Sequence, residues 1–206
     1  MKKIIYGSLT NVIPLNEEIV ASEETNDIDK YIYLKCRILT CDEPNGNGDY
    51  MPTEEVKKSY KTFIGKIVDY NHDTNIVIGK IIDAIFVEGK NGEKNSVDII
   101  MKIQKEPPAE SSEEYKTFYK QIISRIENGE LNKSSMEAYA EKGECSYCHA
   151  VFTFQEPCEH ITKYMNAKIK ADNGEEVYIY RIDRDLTFVG AGIVENPADK
   201  KATVKK

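Results

Sequence analysis

The sequence predicts an α+β fold, a mainly antiparallel β-barrel flanked by helices. Three observations lead there. Strand-patterned segments outnumber helical ones and are mostly joined by short turns. The helical segments are interspersed without the βαβα rhythm of a parallel sheet. Of the 206 residues, 40% are apolar and 31% charged, enough to bury a core.

The elements follow in order. Tyr31–Thr40 (YIYLKCRILT) alternates as a strand, and Asp42-Glu43-Pro44-Asn45-Gly46-Asn47-Gly48-Asp49 is a dense loop. Thr53 is placed to cap a helix over 54–63, with Glu54 and Glu55 in its first turn. Residues 66–71 and 76–88 are Ile- and Val-rich strands. Gly89-Lys90-Asn91-Gly92 turns the chain back into a strand near 96–104. The clearest helix is 113–128, where Tyr115, Phe118, Tyr119, Ile122, Ile123 and Ile126 form one apolar face between a Ser112 cap and Gly129. A strand is expected at 133–140, a short helix opened by Pro157, and strands at 176–183 and 186–194. Asn196-Pro197-Ala198 breaks the pattern before a short basic tail, expected to fray.

The net charge of −7 disfavours nucleic acid as a partner, including the reading of a zinc-ribbon adaptor. No run approaches the roughly 18 apolar residues of a membrane span, so a soluble, cytoplasmically made protein is expected. The five cysteines then read as thiols or metal ligands rather than a disulfide framework.

Three cysteines crowd together. Cys145-Ser146-Tyr147-Cys148 is a C-x2-C knuckle, and Cys158-Glu159-His160 supplies a second pair a short loop away. Two thiolates gripping one ion from a tight turn, completed by a second pair, make a tetrahedral zinc site. With Cys145, Cys148, Cys158 and His160 all engaged, the metal is structural, because no coordination position stays open. His149 is the competing ligand; Cys36 and Cys41 belong to a strand and to another loop. A single domain over 1–206, with a zinc-knuckle insertion at 141–165, is expected.

A nucleophile pattern is present as well. His72 follows a strand, and Ser134-Ser135-Met136-Glu137 lies on another. A hydroxyl is inert at neutral pH until an imidazole takes its proton. Adjacent serines on a strand point to opposite faces, and Ser134 shares its face with Met136 and Ala138.

Several segments resemble, in order, the tailed-phage prohead (capsid maturation) serine proteases, a family similar to the herpesvirus assemblins. Cys41 to Tyr50 resembles their D-x-x-N-x-N-G-D loop. Phe63-Ile64-Gly65-Lys66, Asn71-His72-Asp73 and Ile78-Gly79-Lys80-Ile81 resemble their histidine region, and Ser135-Met136-Glu137 their serine strand. The cysteine cluster resembles a knuckle of some members. Leu186 to Asp199 resembles the closing strand with its P-A-[DN] signature.

The resemblance implies a serine endopeptidase with Ser135 as nucleophile and His72 as general base. It implies processing of scaffold and major capsid precursors, and of itself, inside the immature head in the host cytoplasm, as an oligomer or with the assembly. In some relatives an acidic residue of the closing strand completes the triad; the comparable position here is Gly190, which cannot orient an imidazole. Asp185, Glu137 and Asp73 stay open for that role. His160 has the spacing of the assemblins' second histidine but is assigned to zinc. Gly190 also motivates the alternative of a catalytically inactive head or scaffold protein that keeps the fold and the metal site.

Overall fold

The computed structural model describes residues 3–10, 12–14 and 29–195. The Asn-Pro-Ala break and the basic tail lie outside the described residues. The strands are β1 (Lys3–Thr10), β2 (Val12–Pro14), β3 (Tyr31–Thr40), β4 (Asp49–Tyr50), β5 (Ile67–Tyr70), β6 (Asp73–Val87), β7 (Ser96–Gln104), β8 (Lys133–Cys145), β9 (Val151–Phe152), β10 (Ala167–Lys170), β11 (Glu176–Ile179) and β12 (Arg181–Ile193). The helices are α1 (Thr53–Ser59), α2 (Glu113–Glu127) and α3 (Glu159–Tyr164), with a 3-10 turn over Tyr60–Phe63.

The main sheet runs β1-β8-β12-β5-β6-β7-β3-β2, with β4 beside β12 and β9 beside β8; β10 and β11 form a separate hairpin. Pairing is antiparallel except where β12 meets β4 and β5. The α+β class is present, but the expected barrel is not closed. Its end strands, β1 and β2, do not pair with each other among the described residues, although β1 comes near β3. Closure depends on long-range pairing of the two sheet ends, which local patterning does not encode.

One face of the sheet forms the core. Val68, Met136, Ala138, Ala140, Phe188, Ala191 and Ile193 are buried in one cluster with Ile99, Met101 and Ile103 of β7. Phe63 stacks on Phe188 at 4.2 Å between ring centroids. Helix α2 adds Tyr119, Ile122, Ile123 and Ile126 to that cluster. It is capped by the Ser112 hydroxyl, which accepts from the Tyr115 N–H at 3.2 Å. Phe118 of the expected apolar face stays 39% exposed, its ring edge-on to Tyr70.

Other expectations shift for local reasons. Pro52, not Thr53, occupies the cap position of α1, because Thr53 is committed to Asp42: its hydroxyl donates to Oδ2 at 2.5 Å and its N–H to Oδ1 at 2.9 Å. The closing strands divide differently from the expected 176–183 and 186–194. Residues 181–193 form one long strand whose pairing with β8 skips Asp185, a residue at φ 53°. β8 runs past 140 to Cys145 and so connects the sheet to the cysteine segment.

Candidate active site and metal centre

β5 and β6 are joined by a tight turn in which Asn71 (φ 55°) and His72 (φ 62°) are both left-handed, the pattern of a two-residue hairpin. Asn tolerates that region well, and His is among the side chains enriched there. Asp69 Oδ1 accepts the His72 N–H at 2.9 Å, Asn71 donates its N–H to the Ile193 carbonyl at 2.9 Å, and Asn71 Oδ1 accepts the Glu195 N–H at 2.9 Å. Glu195 is tied to the Tyr70 hydroxyl and to Arg125 Nη1 of α2, the latter at 2.8 Å. The histidine backbone is therefore held from both sides.

On β8, alternation separates the two serines. Ser134 faces the core and donates to Cys36 Sγ at 3.4 Å, on the side of Met136, Ala138 and Ala140. Ser135 lies on the opposite face with Glu137. β12 carries a bulge at Val189, between Phe188 and Gly190, which changes the phase of the strand. Phe188 stays in the core while Gly190 and Gly192 turn to the outer face. Register then builds two rows across three strands: Ser135–Gly192–Asp69 and Glu137–Gly190–Ile67.

The imidazole of His72 lies over Gly192. A Cβ on Gly192 would sit 3.1 Å from Nδ1 and 3.2 Å from Cε1, and one on Gly190 would sit 2.9 Å from Glu137 Oε2. From β8, Glu137 reaches across the glycines to place Oε1 2.7 Å from His72 Nδ1. That contact fixes the tautomer with the proton on Nδ1 and leaves Nε2 as the basic nitrogen. The His72 side chain keeps 22% exposure and Glu137 11%. Burial first, then the charge of Glu137, pushes the Asp69 carboxyl up to about 6.

Neither other open residue meets the ring. Asp185 pairs with Lys142 at 3.0 Å, and Asp73 Oδ1 accepts from the Asn75 backbone and side chain at 2.9 Å. Gly190 is the space into which Glu137 fits, so the orienting carboxylate comes from the neighbouring strand. The sequence reading missed Asp69. Its signal was an acid inside the apolar run Ile67-Val68-Asp69-Tyr70, three residues before the histidine.

Asp69, His72 and Glu137 also form a grouping with donor atoms within 4.8 Å of one another. The 2.7 Å separation is that of a hydrogen bond. Two ligand atoms on one tetrahedral ion at ~2.0–2.1 Å would stand roughly 3.3 Å apart.

The second cluster fits a metal. Donor atoms of Cys145, Cys148, Cys158 and His160 all lie within 4.8 Å of one another. Cys148 Sγ and Cys158 Sγ are 3.7 Å apart, far beyond a disulfide bond and close to the roughly 3.8 Å edge of a tetrahedron of sulfurs about 2.3 Å from an ion. Burial opposes the Cys148 thiolate, but the Ala150 N–H, His160, Cys145 and Cys158 outweigh it and bring the thiol down to about 7. His149 turns away to Glu144 at 3.3 Å. Cys36 and Cys41 are buried in the main core, which raises their thiols to about 12 and about 11.

The 42–49 loop joins this cluster to the sheet. Asn45 Oδ1 accepts the N–H groups of Asn47 and Asp49 at 2.9 and 3.0 Å. Asp49 pairs with the buried Arg181, which also meets Asp183 at 2.6 Å and lies 4.8 Å above the Phe154 ring. Asn166, just after α3, donates to the Gly46 carbonyl at 2.7 Å.

No protein-family model matches the chain, and no curated protein matches it. Among solved structures, the chain is similar to the bacteriophage T4 capsid assembly protease gp21. The TM-score is 0.50 at 11% identity, over 95% of this chain and 99% of that one. The chain thus shares the fold of a phage capsid assembly protease. No helix among the described residues is long and apolar enough to cross a membrane.

Proposed function

We propose that the chain is a serine endopeptidase that processes scaffold and major capsid precursors, and itself, in the immature head of a phage. The observation that carries this is the His72–Glu137 contact, formed on the same sheet face as Ser135 and beside it in register. Ser135 Oγ is the nucleophile. His72 Nε2 takes its proton during attack on the scissile carbonyl and returns it to the leaving amine. Glu137 holds the ring in the required tautomer and stabilises the imidazolium. The likeness to the gp21 fold supports the substrate class. The glycine that motivates an inactive relative is the position that admits Glu137, which favours the active reading.

The cysteine cluster is the structural site of one Zn2+. Four protein donors leave no open position, so the ion organises the segment without taking part in the chemistry.

The test is co-expression with the cognate capsid and scaffold precursors, followed by intact-mass analysis. Ser135→Ala and His72→Ala should each abolish processing to a similar degree, because the residues act as a unit. Ser134→Ala should retain most of it, and Glu137→Gln should lose about 10²–10⁴-fold. Processing that survives both serine substitutions would place the protease in another protein.

A further inference from the structure

We propose that Asp69 is a second carboxylate of the relay: a positioning residue that holds the His72 turn with one oxygen and strengthens the imidazole as a base by its charge. This deepens the protease reading and rests on it.

Asp69 is fully buried. Oδ1 is used by the His72 N–H at 2.9 Å, whereas Oδ2 is buried without a hydrogen-bond partner. A buried carboxylate oxygen with no donor is costly, and such groups persist where they serve a task. Asn at this position would keep the turn bond, so the turn alone does not explain a carboxylate.

The acid also lies within 4.8 Å of both the imidazole and the Glu137 carboxylate. The charges acting on it are Glu137 from β8, His72, and Asp73 at the start of β6. β12 presents Gly192 and β6 presents Val77 opposite it, neither charged. When the imidazole takes a proton, positive charge develops beside two carboxylates, one of them fully buried, where such pairing is stronger than in open water. Gly192 makes that proximity possible, since a Cβ there would meet Asp69 Oδ1 at 2.9 Å.

Asp69→Asn separates charge from support. The chain has three histidines, so the His72 resonances of isotopically labelled protein can be assigned by their loss in His72→Gln and titrated by NMR. In Asp69→Asn the imidazole pKa should fall by about one unit or more, the usual effect of removing an opposite charge at this range. The acid limb of the kcat/KM profile should move down with it, and the plateau should drop about tenfold. If Asp69→Asn does not fold, Asp69→Ser offers a shorter acceptor to the turn and should show the same shift. An imidazole pKa unchanged in a folded variant would overturn the proposal, even if precursors are still processed. A shifted pKa in a protein that processes nothing would leave the carboxylate pair standing and remove the protease reading.

Discussion

Gly192→Ala is the most direct probe of the geometry. An ideal Cβ there stands 2.9 Å from Asp69 Oδ1, 3.1 Å from His72 Nδ1 and 3.2 Å from His72 Cε1. Ordinary contact starts near ~3.5 Å, so the ring and the carboxyl must each retreat by roughly 0.3–0.6 Å. The backbone of His72 is pinned by Asp69, and that of Asn71 by Ile193, so the displacement falls on the imidazole itself. Overpacking of this kind costs about 1–3 kcal/mol in stability. A shift approaching 1 Å at a reacting group costs up to about 10²-fold, so a loss of roughly 10–100-fold in processing is expected. Gly190→Ala is the control. Its Cβ meets Glu137 Oε2 at 2.9 Å, the movable end of a side chain, and the Ile67 carbonyl only at 3.5 Å. Its loss should stay within about tenfold. The assays are precursor processing, the rate of Ser135 labelling by a fluorophosphonate, and thermal melting. A Gly192→Ala protein that labels and processes at the wild-type rate would refute the placement of the imidazole, as would a Gly190→Ala protein that is the more damaged.

Asp69 carries a linkage consequence of its own. Its folded-state pKa, about 6, lies above the ordinary 3.8, so the folded state holds its proton more tightly and loses stability as pH rises through 4 to 6. The difference corresponds to about 3 kcal/mol, and Asp69→Asn should be more stable than wild type by up to that amount at pH 8, converging near pH 4 in urea titrations. Convergence at high pH instead would reverse the sign and sink the assignment. Elemental analysis of protein purified without chelator should find about one zinc per chain. Cys148→Ser should reduce hydrogen-exchange protection in 141–165 while α2 stays protected; equal protection there would show a segment that orders without metal. Arg181→Met leaves Asp49 and Asp183 buried without their cation and should destabilise the fold by about 3–5 kcal/mol; a loss below 1 kcal/mol would mean the charges are not enclosed.

What the sequence revealed was local. The α2 face was readable from its 3.6-residue period, and the opposite facing of Ser134 and Ser135 from the two-residue period of a strand. The cysteine grouping was readable from its spacing. What it concealed lies between segments. Gly190 looks like a missing acid when positions are counted along β12, because a count sees neither the bulge at Val189 nor the Glu137 side chain arriving from β8. Asp69 reads as an interruption in an apolar strand until the turn folds the histidine back onto it. Thr53 has the composition of a cap, but Asp42, distant in sequence, claims its hydroxyl and N–H. The open sheet depends on whether two distant edges meet.

β8 makes the orientation of Ser135 a matter of phase. Along one continuous strand, Glu137 meets the imidazole and Ser135 shares its face, while Ser134, Met136 and Ala138 look inward, and the strand ends at Cys145. A slip of one residue would exchange every one of these side chains between faces at once. It would present Ser134 and Met136 to the histidine and drive Glu137 into the core. The site therefore has no slightly misaligned state; it is in step or out of step. Part of what keeps the step sits at the far end, where Cys145 faces Arg181 and the guanidinium is enclosed by Asp49, Asp183 and the Phe154 ring. A fault at that remote end would be felt at Ser135 as an all-or-none failure, which is how a ratchet, rather than a spring, transmits error.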